Sequence, residues 1–265
     1  KSKMLMFSTG GTPASAQGGN GLSPRLGGSE ILKKSSGLTA GFEVDGEELF
    51  SLDSSNVQPE EWTQLARRIY IRRKAYDGIV VIHGTDTLAY TASALSFALP
   101  GIEIPVVLTG SQVPIENPIA DATENCRAAL YMAASRCPGV YVAFNRKIIV
   151  GTRASKVKTR SFDAFESINY PYAARIDSGG LVINPELAER SQRGCGLRDC
   201  FSRAVFLLKL FPGISQLVFR PMEEAGCQGV SVEGFGIGGV PFVRSDLTAA
   251  IGNEIRRVMV MTDDR

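Results

Sequence analysis

The sequence predicts an α/β protein: an open parallel sheet with helices on both faces, followed by a second, smaller α/β domain. Three observations carry this. Short, almost wholly apolar runs recur, as expected of strands covered on both faces. Segments with helical spacing of apolar residues separate them. The apolar runs end in loops rich in Gly, Ser and Thr, so that strand, loop and helix alternate along the chain.

Taken in order, Lys3–Ser8 is the first apolar strand, broken by Thr9-Gly10-Gly11-Thr12. Ala14–Ser29 has five glycines, no aromatic residue and one charge, Arg25. Such a segment has little apolar area to offset the ~1–2 kcal/mol per residue of backbone ordering, and it reads as a mobile loop that closes as a lid over a bound ligand. Glu47–Leu52 is a strand ending at Asp53-Ser54-Ser55-Asn56. Pro59-Glu60-Glu61-Trp62 opens a helix, because proline and acids suit a first turn, and Leu65, Ala66, Ile69 and Tyr70 continue one face to about Ala75. Gly78–His83 is a buried strand running into Gly84-Thr85-Asp86-Thr87, with a helix over Ala89–Leu99. Ile104–Thr109 is a strand ending at Gly110-Ser111-Gln112, Ala120–Ser135 a helix, and Val140–Phe144 a strand. The pattern weakens between Arg175 and Arg203 and then resumes. Ala204–Leu210, Gly229–Phe235 and Val258–Met261 read as strands, and Gly213–Phe219 and Asp246–Arg257 as helices. The expected domains are residues 1–174 and 204–265, joined by a linker over 175–203.

A length of 265 residues suits one large or two unequal domains. With 44% hydrophobic and 21% charged residues, disorder and fibrous structure are excluded for the bulk of the chain. A net charge of +2, from 29 basic and 27 acidic residues, argues for no nucleic-acid or other polyanion partner. No apolar run approaches the ~20 residues of a membrane helix, so no membrane partner is expected. The single histidine, His83, excludes a His-rich zinc site, an HExxH protease and any two-histidine proton relay. There is no GxSxG elbow for a Ser-His-Asp hydrolase. Five cysteines without a CxxC pair read as reduced thiols, and neither a metal nor a cofactor is expected. No signal peptide is visible at the start, so a cytoplasmic location is the expectation.

In open α/β sheets ligands bind beyond the carboxyl ends of the strands. Four such ends here carry Thr9-Gly10-Gly11-Thr12, Asp53-Ser54-Ser55, Gly84-Thr85-Asp86-Thr87 and Gly110-Ser111. Taken singly, the first could be a tight turn and the third an N-capped helix start. Together they are too rich in hydroxyls for loops that merely connect elements. A small polar ligand held by hydroxyls, backbone N–H groups and a carboxylate explains the bias. Lys156, in Gly151-Thr152-Arg153-Ala154-Ser155-Lys156, is either a solvated lysine or the group that does histidine's work. A lysine near a threonine and Asp86 can lower the pKa of the hydroxyl or accept its proton.

These motifs occur together in order, with Thr109-Gly110-Ser111-Gln112-Val113-Pro114, Gly151-x-Arg153-x-x-Lys156 and Phe162-Asp163-Ala164-Phe165. As a set they resemble the bacterial-type L-asparaginase/glutaminase family, nearest its type I branch. The likeness is strong over Met4–Phe165 and loose over Ala204–Met261. It implies a flavodoxin-like sheet and hydrolysis of asparagine to aspartate and ammonia. Thr12 resembles the family's nucleophilic threonine on the first loop, and Thr85, Asp86 and Lys156 its second, rigid triad. The resemblance leaves open which threonine attacks first. Asp53, Ser54 and Ser55 resemble the segment that binds the α-amino and α-carboxylate groups of the substrate, with Thr85 and Asp86 beside it. A backbone N–H near Ser111 resembles part of an oxyanion hole. The family's sites are completed by a neighbouring subunit, which implies a homodimer or homotetramer.

The chain departs from the family in places. Pro13 stands where isoleucine is usual, fixing φ and removing an N–H. The first-loop tyrosine is absent, the first tyrosine being Tyr70. Gly236-Ile237-Gly238-Gly239 replaces a segment that often carries asparagine. Asp263-Asp264-Arg265 follows directly on a strand where family members continue, so the smaller domain is expected to be incomplete as it stands. Two other readings remain. One is the ammonia-releasing subunit of a tRNA-dependent amidotransferase, whose relatives carry an extra amino-terminal domain. The other is a non-catalytic amino-acid-binding module of the same fold. The joint presence of Thr12, Thr85, Asp86 and Lys156 argues against the second, because binding alone needs neither nucleophile nor base.

Overall fold

The apolar runs become adjacent strands of one sheet. The computed structural model describes residues 1–10, 15–18, 21–24, 41–115, 117–188, 194–241 and 258–261. These divide into two compact units, Lys1–Cys200 and Phe201–Arg265.

In the first unit, β1 (Ser2–Gly10) buries Met4, Leu5, Met6 and Phe7 completely or nearly so, as a central strand must. Two short strands, β2 (Ser15–Gly18) and β3 (Gly21–Pro24), pair antiparallel within the segment expected to be a mobile loop, the rest of which lies outside the described residues. Strand β4 (Phe42–Leu52) pairs parallel with β1 and begins five residues earlier than the sequence suggests. Its first half is only partly buried, so no continuous apolar run marks it.

Helix α1 (Pro59–Arg72) starts at a capping box, Gln58 with Glu61, with Pro59 in the first turn. It buries Leu65, Ala66 and Ile69. Strand β5 (Gly78–Ile82) is buried throughout and lies parallel to β1. Helix α2 (Leu88–Ala98), strand β6 (Pro105–Thr109), helix α3 (Ala122–Ala133) and strand β7 (Gly139–Phe144) complete the expected alternation.

Five further strands were not foreseen. They are β8 (Lys147–Val150), β9 (Ala154–Lys156), β10 (Phe165–Ser167), β11 (Ala174–Asp177) and β12 (Gly180–Ile183). The main sheet runs β12-β11-β8-β7-β6-β5-β1-β4. Its five strands from β7 to β4 are parallel, and β8, β11 and β12 extend it by antiparallel pairing. The linker expected over 175–203 is therefore corrected at its start: residues to Ile183 form an edge hairpin of the main sheet. The polar residues that suggested a linker suit an edge strand with little to bury. A one-turn helix, α4 (Pro185–Ala188), follows.

The parallel strands stand in the order second, first, third, fourth, fifth, the flavodoxin-like winding. Met4, Met6, Val80, Ile82, Val107, Tyr141 and Ala143 pack with the buried side of α3. The alternate residues Leu5, Phe7, Ile79, Val81, Val106 and Leu108 are as fully buried, so the opposite face is covered too.

The second unit holds β13 (Val205–Lys209), β14 (Gly229–Glu233) and β15 (Val258–Met261), all parallel. The helix expected over Gly213–Phe219 is displaced: a 3₁₀ turn at Gln216–Val218 leads into α5 (Phe219–Glu224). Gly213 has φ +94° and favours a turn rather than a helix. Leu208, Leu210, Ile214, Phe219, Val230 and Val232 form its core. The helix expected over Asp246–Arg257 lies outside the described residues.

Candidate active site

Where the winding of such a sheet reverses, a crevice opens at the strand ends. Here that point lies between β1 and β5. Gly10, with φ +94°, ends β1, and a Cβ there would stand 2.4 Å from the Leu52 carbonyl oxygen. The Thr9 hydroxyl donates to the Ile82 carbonyl (2.9 Å) and ties the ends of β1 and β5 together. Thr12 lies outside the described residues.

At the end of β4, Asp53 caps a 3₁₀ turn over Ser54–Asn56. Its carboxylate accepts the Ser55 hydroxyl (2.6 Å) and the Ser55 amide (2.9 Å). These bonds hold the exposed carboxyl below the usual carboxylate range, the hydroxyl contributing most. The Thr87 hydroxyl donates to the Ser54 carbonyl (2.7 Å), fastening this turn to the loop after β5.

That loop decides between the readings of Gly84-Thr85-Asp86-Thr87. Thr87 is the N-cap residue of α2, but no side chain caps the helix. Thr87 is engaged with Ser54, and Asp86 with a lysine. The Lys156 amine donates to Thr85 Oγ1 (2.8 Å) and Asp86 Oδ1 (2.7 Å). Thr85 is buried at 6% exposure, the Lys156 side chain is 17% exposed, and the Asp86 side chain is 65% exposed. Residues about 70 positions apart thus meet as the expected Thr–Lys–Asp set. Lys156 closes β9, which pairs antiparallel with β10, Lys156 lying opposite Phe165.

His83 takes no part in this set. The Trp62 indole N–H donates to Thr91 Oγ1 (3.0 Å), the Thr91 hydroxyl to His83 Nε2 (2.9 Å), and His83 Nδ1–H to the Gly84 carbonyl (2.8 Å). Complete burial lowers the His83 pKa to about 4, so the ring is neutral and both of its nitrogens are occupied.

Ser111 is fully buried and its hydroxyl donates to the Val113 carbonyl (2.6 Å). The side chain is thus turned into its own loop. Gly110 is dictated by space: a Cβ would stand 2.3 Å from the His83 carbonyl oxygen.

Sequence reasoning missed a group of polar residues behind these loops. Asn125, 1% exposed, donates to the Gly110 carbonyl and to Asp121 (2.9 Å each), and Asp121 accepts the Gln112 amide (3.0 Å). Lys147 bridges Asp163 and Glu166 at 2.6 Å each. Of these only Asp163 carried a sequence signal, within Phe162-Asp163-Ala164-Phe165. A cavity of about 430 Å³ is lined by Asp86, Tyr90, Ser93, Thr152, Ser155 and Lys156, with Ala89 and Ala154. Thr85 and Asp53–Ser55 do not line it. Among the described residues, no three His, Cys, Asp or Glu side chains are grouped to hold a metal.

Fold and site together define a flavodoxin-like α/β protein with a lysine-held threonine at the switch point of its sheet. Residues 3–189 match the family described as "Asparaginase, N-terminal". The chain is 40% identical over 264 residues to the L-asparaginase of Thermococcus kodakarensis, covering 98% of this chain and 79% of that protein. It is 34% identical over 191 residues to L-asparaginase 1 of Escherichia coli K12, covering 72% and 56% respectively. It is also 33% identical over 262 residues to one subunit of the glutamyl-tRNA(Gln) amidotransferase of Aeropyrum pernix, covering 90% and 59%. The solved thermostable L-asparaginase of Thermococcus kodakarensis superposes with a TM-score of 0.89 at 38% identity, over 98% of this chain and 80% of that one. L-asparaginase I of Vibrio cholerae superposes with a TM-score of 0.81 at 28% identity, over 95% and 77%. The chain belongs to the asparaginase family.

Proposed function

We propose that this chain is an amidohydrolase that converts L-asparagine to L-aspartate and ammonia by threonine nucleophilic catalysis. The observation that carries the reading is the contact of one lysine amine with Thr85 Oγ1 and Asp86 Oδ1. Burial makes such a hydroxyl a better nucleophile than one in water, provided a neighbour takes its proton. Lys156 is that neighbour, and the Asp86 carboxylate keeps the amine aligned. Transfer of the hydroxyl proton to the Lys156 amine leaves an alkoxide able to attack the side-chain amide carbon. The proton then returns to the departing ammonia, and water hydrolyses the ester that remains. Thr12 is a second nucleophile, a role that rests on the family resemblance. Asp53, anionic and exposed, suits the substrate's ammonium, with Ser54 and Ser55 beside it.

The functional unit is a homo-oligomer in this proposal. Tyr90 and Phe97, one helical face apart by seven residues, are 64% and 68% exposed, and Tyr90 borders the cavity beside Lys156. An apolar pair beside a site suits cover by a second copy. The five free cysteines support residence in a reducing, cytoplasmic compartment. No helix among the described residues is long and apolar enough to cross a membrane. The likeness to the amidotransferase protein supports a second reading, ammonia release for a tRNA-bound substrate. Ammonia production from free asparagine and glutamine, without tRNA or a second protein, decides between them. Turnover of free asparagine supports the first reading, and silence without tRNA overturns it.

A further inference from the structure

The strand that carries Lys156 has little support of its own. β9 and β10 form a separate two-stranded sheet of three residue pairs, outside the main sheet. An isolated two-stranded hairpin is marginal in water, so the place of the Lys156 amine depends on what anchors this ribbon.

Two anchors are visible. One is apolar: Phe165, paired with Lys156, packs on Phe144 with ring centroids 4.8 Å apart. The other is ionic. Lys147, first residue of β8, has a side chain only 16% exposed. It donates to Asp163 Oδ1, in the loop joining β9 to β10, and to Glu166 Oε1 on β10, both at 2.6 Å. Glu166 pairs with Ser155, the residue next to Lys156, and its second carboxylate oxygen accepts the Tyr172 hydroxyl. Asp163 also accepts Asn145 Nδ2 (2.8 Å) and Lys158 (3.0 Å). From Asn145 the bonding continues inward, its amide donating to Asn125 Oδ1 (2.9 Å), and Asn125 donating to the Gly110 carbonyl. The Gln112 side chain closes a ring by donating to the Thr159 and Ser161 carbonyls in the β9–β10 loop. The loop after β6 and the ribbon carrying Lys156 are therefore braced against each other and against β8.

We propose that Lys147 is a positioning residue: by bridging Asp163 and Glu166 it fixes the β9–β10 ribbon and so holds the Lys156 amine against Thr85. The inference rests on the reading of Lys156 as the proton-transfer group. Lys147 itself touches neither Thr85 nor Asp86. Without its ammonium, the Asp163 and Glu166 carboxylates would lie close together with no shared cation, and the repulsion would open the loop. The Phe165–Phe144 contact remains, so the fold survives while the alignment does not.

The test compares Lys147→Met, Lys147→Arg and Lys158→Met in the full chain. Misplacement by about 1 Å can cost ~10²-fold in rate. Lys147→Met is expected to lower kcat for asparagine ~10- to 100-fold with KM within about twofold, because the Asp53 turn is untouched. Lys147→Arg, whose fork can bridge both carboxylates, is expected to restore most of the rate. Lys158→Met, removing a half-exposed partner of Asp163, is expected to leave kcat unchanged. Acylation of Lys156 by a small anhydride, read by mass spectrometry, is expected to be faster in Lys147→Met than in the wild type. A Lys147→Met protein with wild-type kcat and wild-type Lys156 acylation would overturn the proposal. If Lys147→Met does not fold, Glu166→Gln takes its place: a fall in kcat at constant KM supports the brace, and an unchanged kcat refutes it. If the wild type hydrolyses neither amide, the functional reading fails, and the acylation comparison still decides the positioning.

Discussion

Replacing Lys156 by methionine separates chemistry from stability, because the structure assigns the two effects very different sizes. The substitution keeps an unbranched chain of similar length along the 17%-exposed path of the lysine. It removes one hydrogen bond to Thr85 and one ion pair to Asp86. Asp86 is 65% exposed, so water re-solvates it, and a pair of this kind is worth ~0–1 kcal/mol. For a domain of 150–250 residues, 1 kcal/mol moves the melting temperature by about 2–4 °C. Loss of a positioned proton-transfer group lowers turnover by ~10²–10⁴, or ~3–5 kcal/mol of barrier. Lys156→Met should therefore be nearly inactive and nearly as stable as the wild type. Ammonia release at saturating asparagine measures the first effect, and thermal unfolding followed by circular dichroism the second. A variant that keeps more than about a tenth of the wild-type kcat would show Lys156 to be a surface lysine with an incidental contact. A variant that loses activity and many degrees of stability together would leave the catalytic role without support.

Other predictions follow from the same geometry. Thr85→Val, nearly isosteric at a buried position, should lower kcat by ~10²–10⁴, and the double variant with Lys156→Met should be little worse than either single one, because in the proposed mechanism the two residues act as one unit. Independent, multiplying losses would show that they do not. Gly110→Ala forces a Cβ to within 2.3 Å of the His83 carbonyl oxygen and should destabilise by ~1–3 kcal/mol in urea unfolding; unchanged stability would mean that the loop after β6 moves freely. The ring-proton resonances of the single histidine should titrate near pH 4 rather than 6.5. Its folded pKa is depressed, so the unfolded chain binds the proton first as pH falls. The stability it contributes, about 3 kcal/mol, is complete above pH 6.5 and is lost between there and pH 4. A midpoint near 6.5 would place the ring in water.

How much of this was legible in the sequence follows from how each element is covered. β1, β5, β6 and β7 announce themselves because burial on both faces demands unbroken apolar runs. Helix α1 announces itself through Pro59 and the acids of its first turn, Glu60 and Glu61. β8 does not, because the turn before it lacks the usual signal: Asn145 and Arg146 take φ +47° and +62° without a glycine. β9 and β10 are three residues each, too short for any period to show. The strand-end hydroxyls pointed to the candidate site, but nothing in local spacing shows that Lys156 meets Thr85. That contact comes from tertiary structure; the single histidine suggested a Thr–Lys–Asp set, and only the family resemblance pointed to Thr85 as its threonine. Asn125 was invisible for a related reason. It is one polar residue in a helical stretch, and its partners stand at positions 110, 121 and 145.

Several polar side chains around the candidate site share one physical task whose partners local spacing could not show. Backbone carbonyls at three strand ends among the described residues are held by side chains from other elements. Thr9 holds the Ile82 carbonyl, Thr87 the Ser54 carbonyl and Asn125 the Gly110 carbonyl. His83, tied through Thr91 to the Trp62 indole on α1, holds the carbonyl of Gly84, the residue before Thr85. A buried carbonyl left without a donor costs ~1–3 kcal/mol, so each of these loops is strongly biased to one conformation. A hydroxyl that must react from a fixed position gains from that bias, because little rearrangement is left for the reaction itself. The histidine, neutral and bonded at both ring nitrogens, is thus a brace that fixes the peptide from which Thr85 projects.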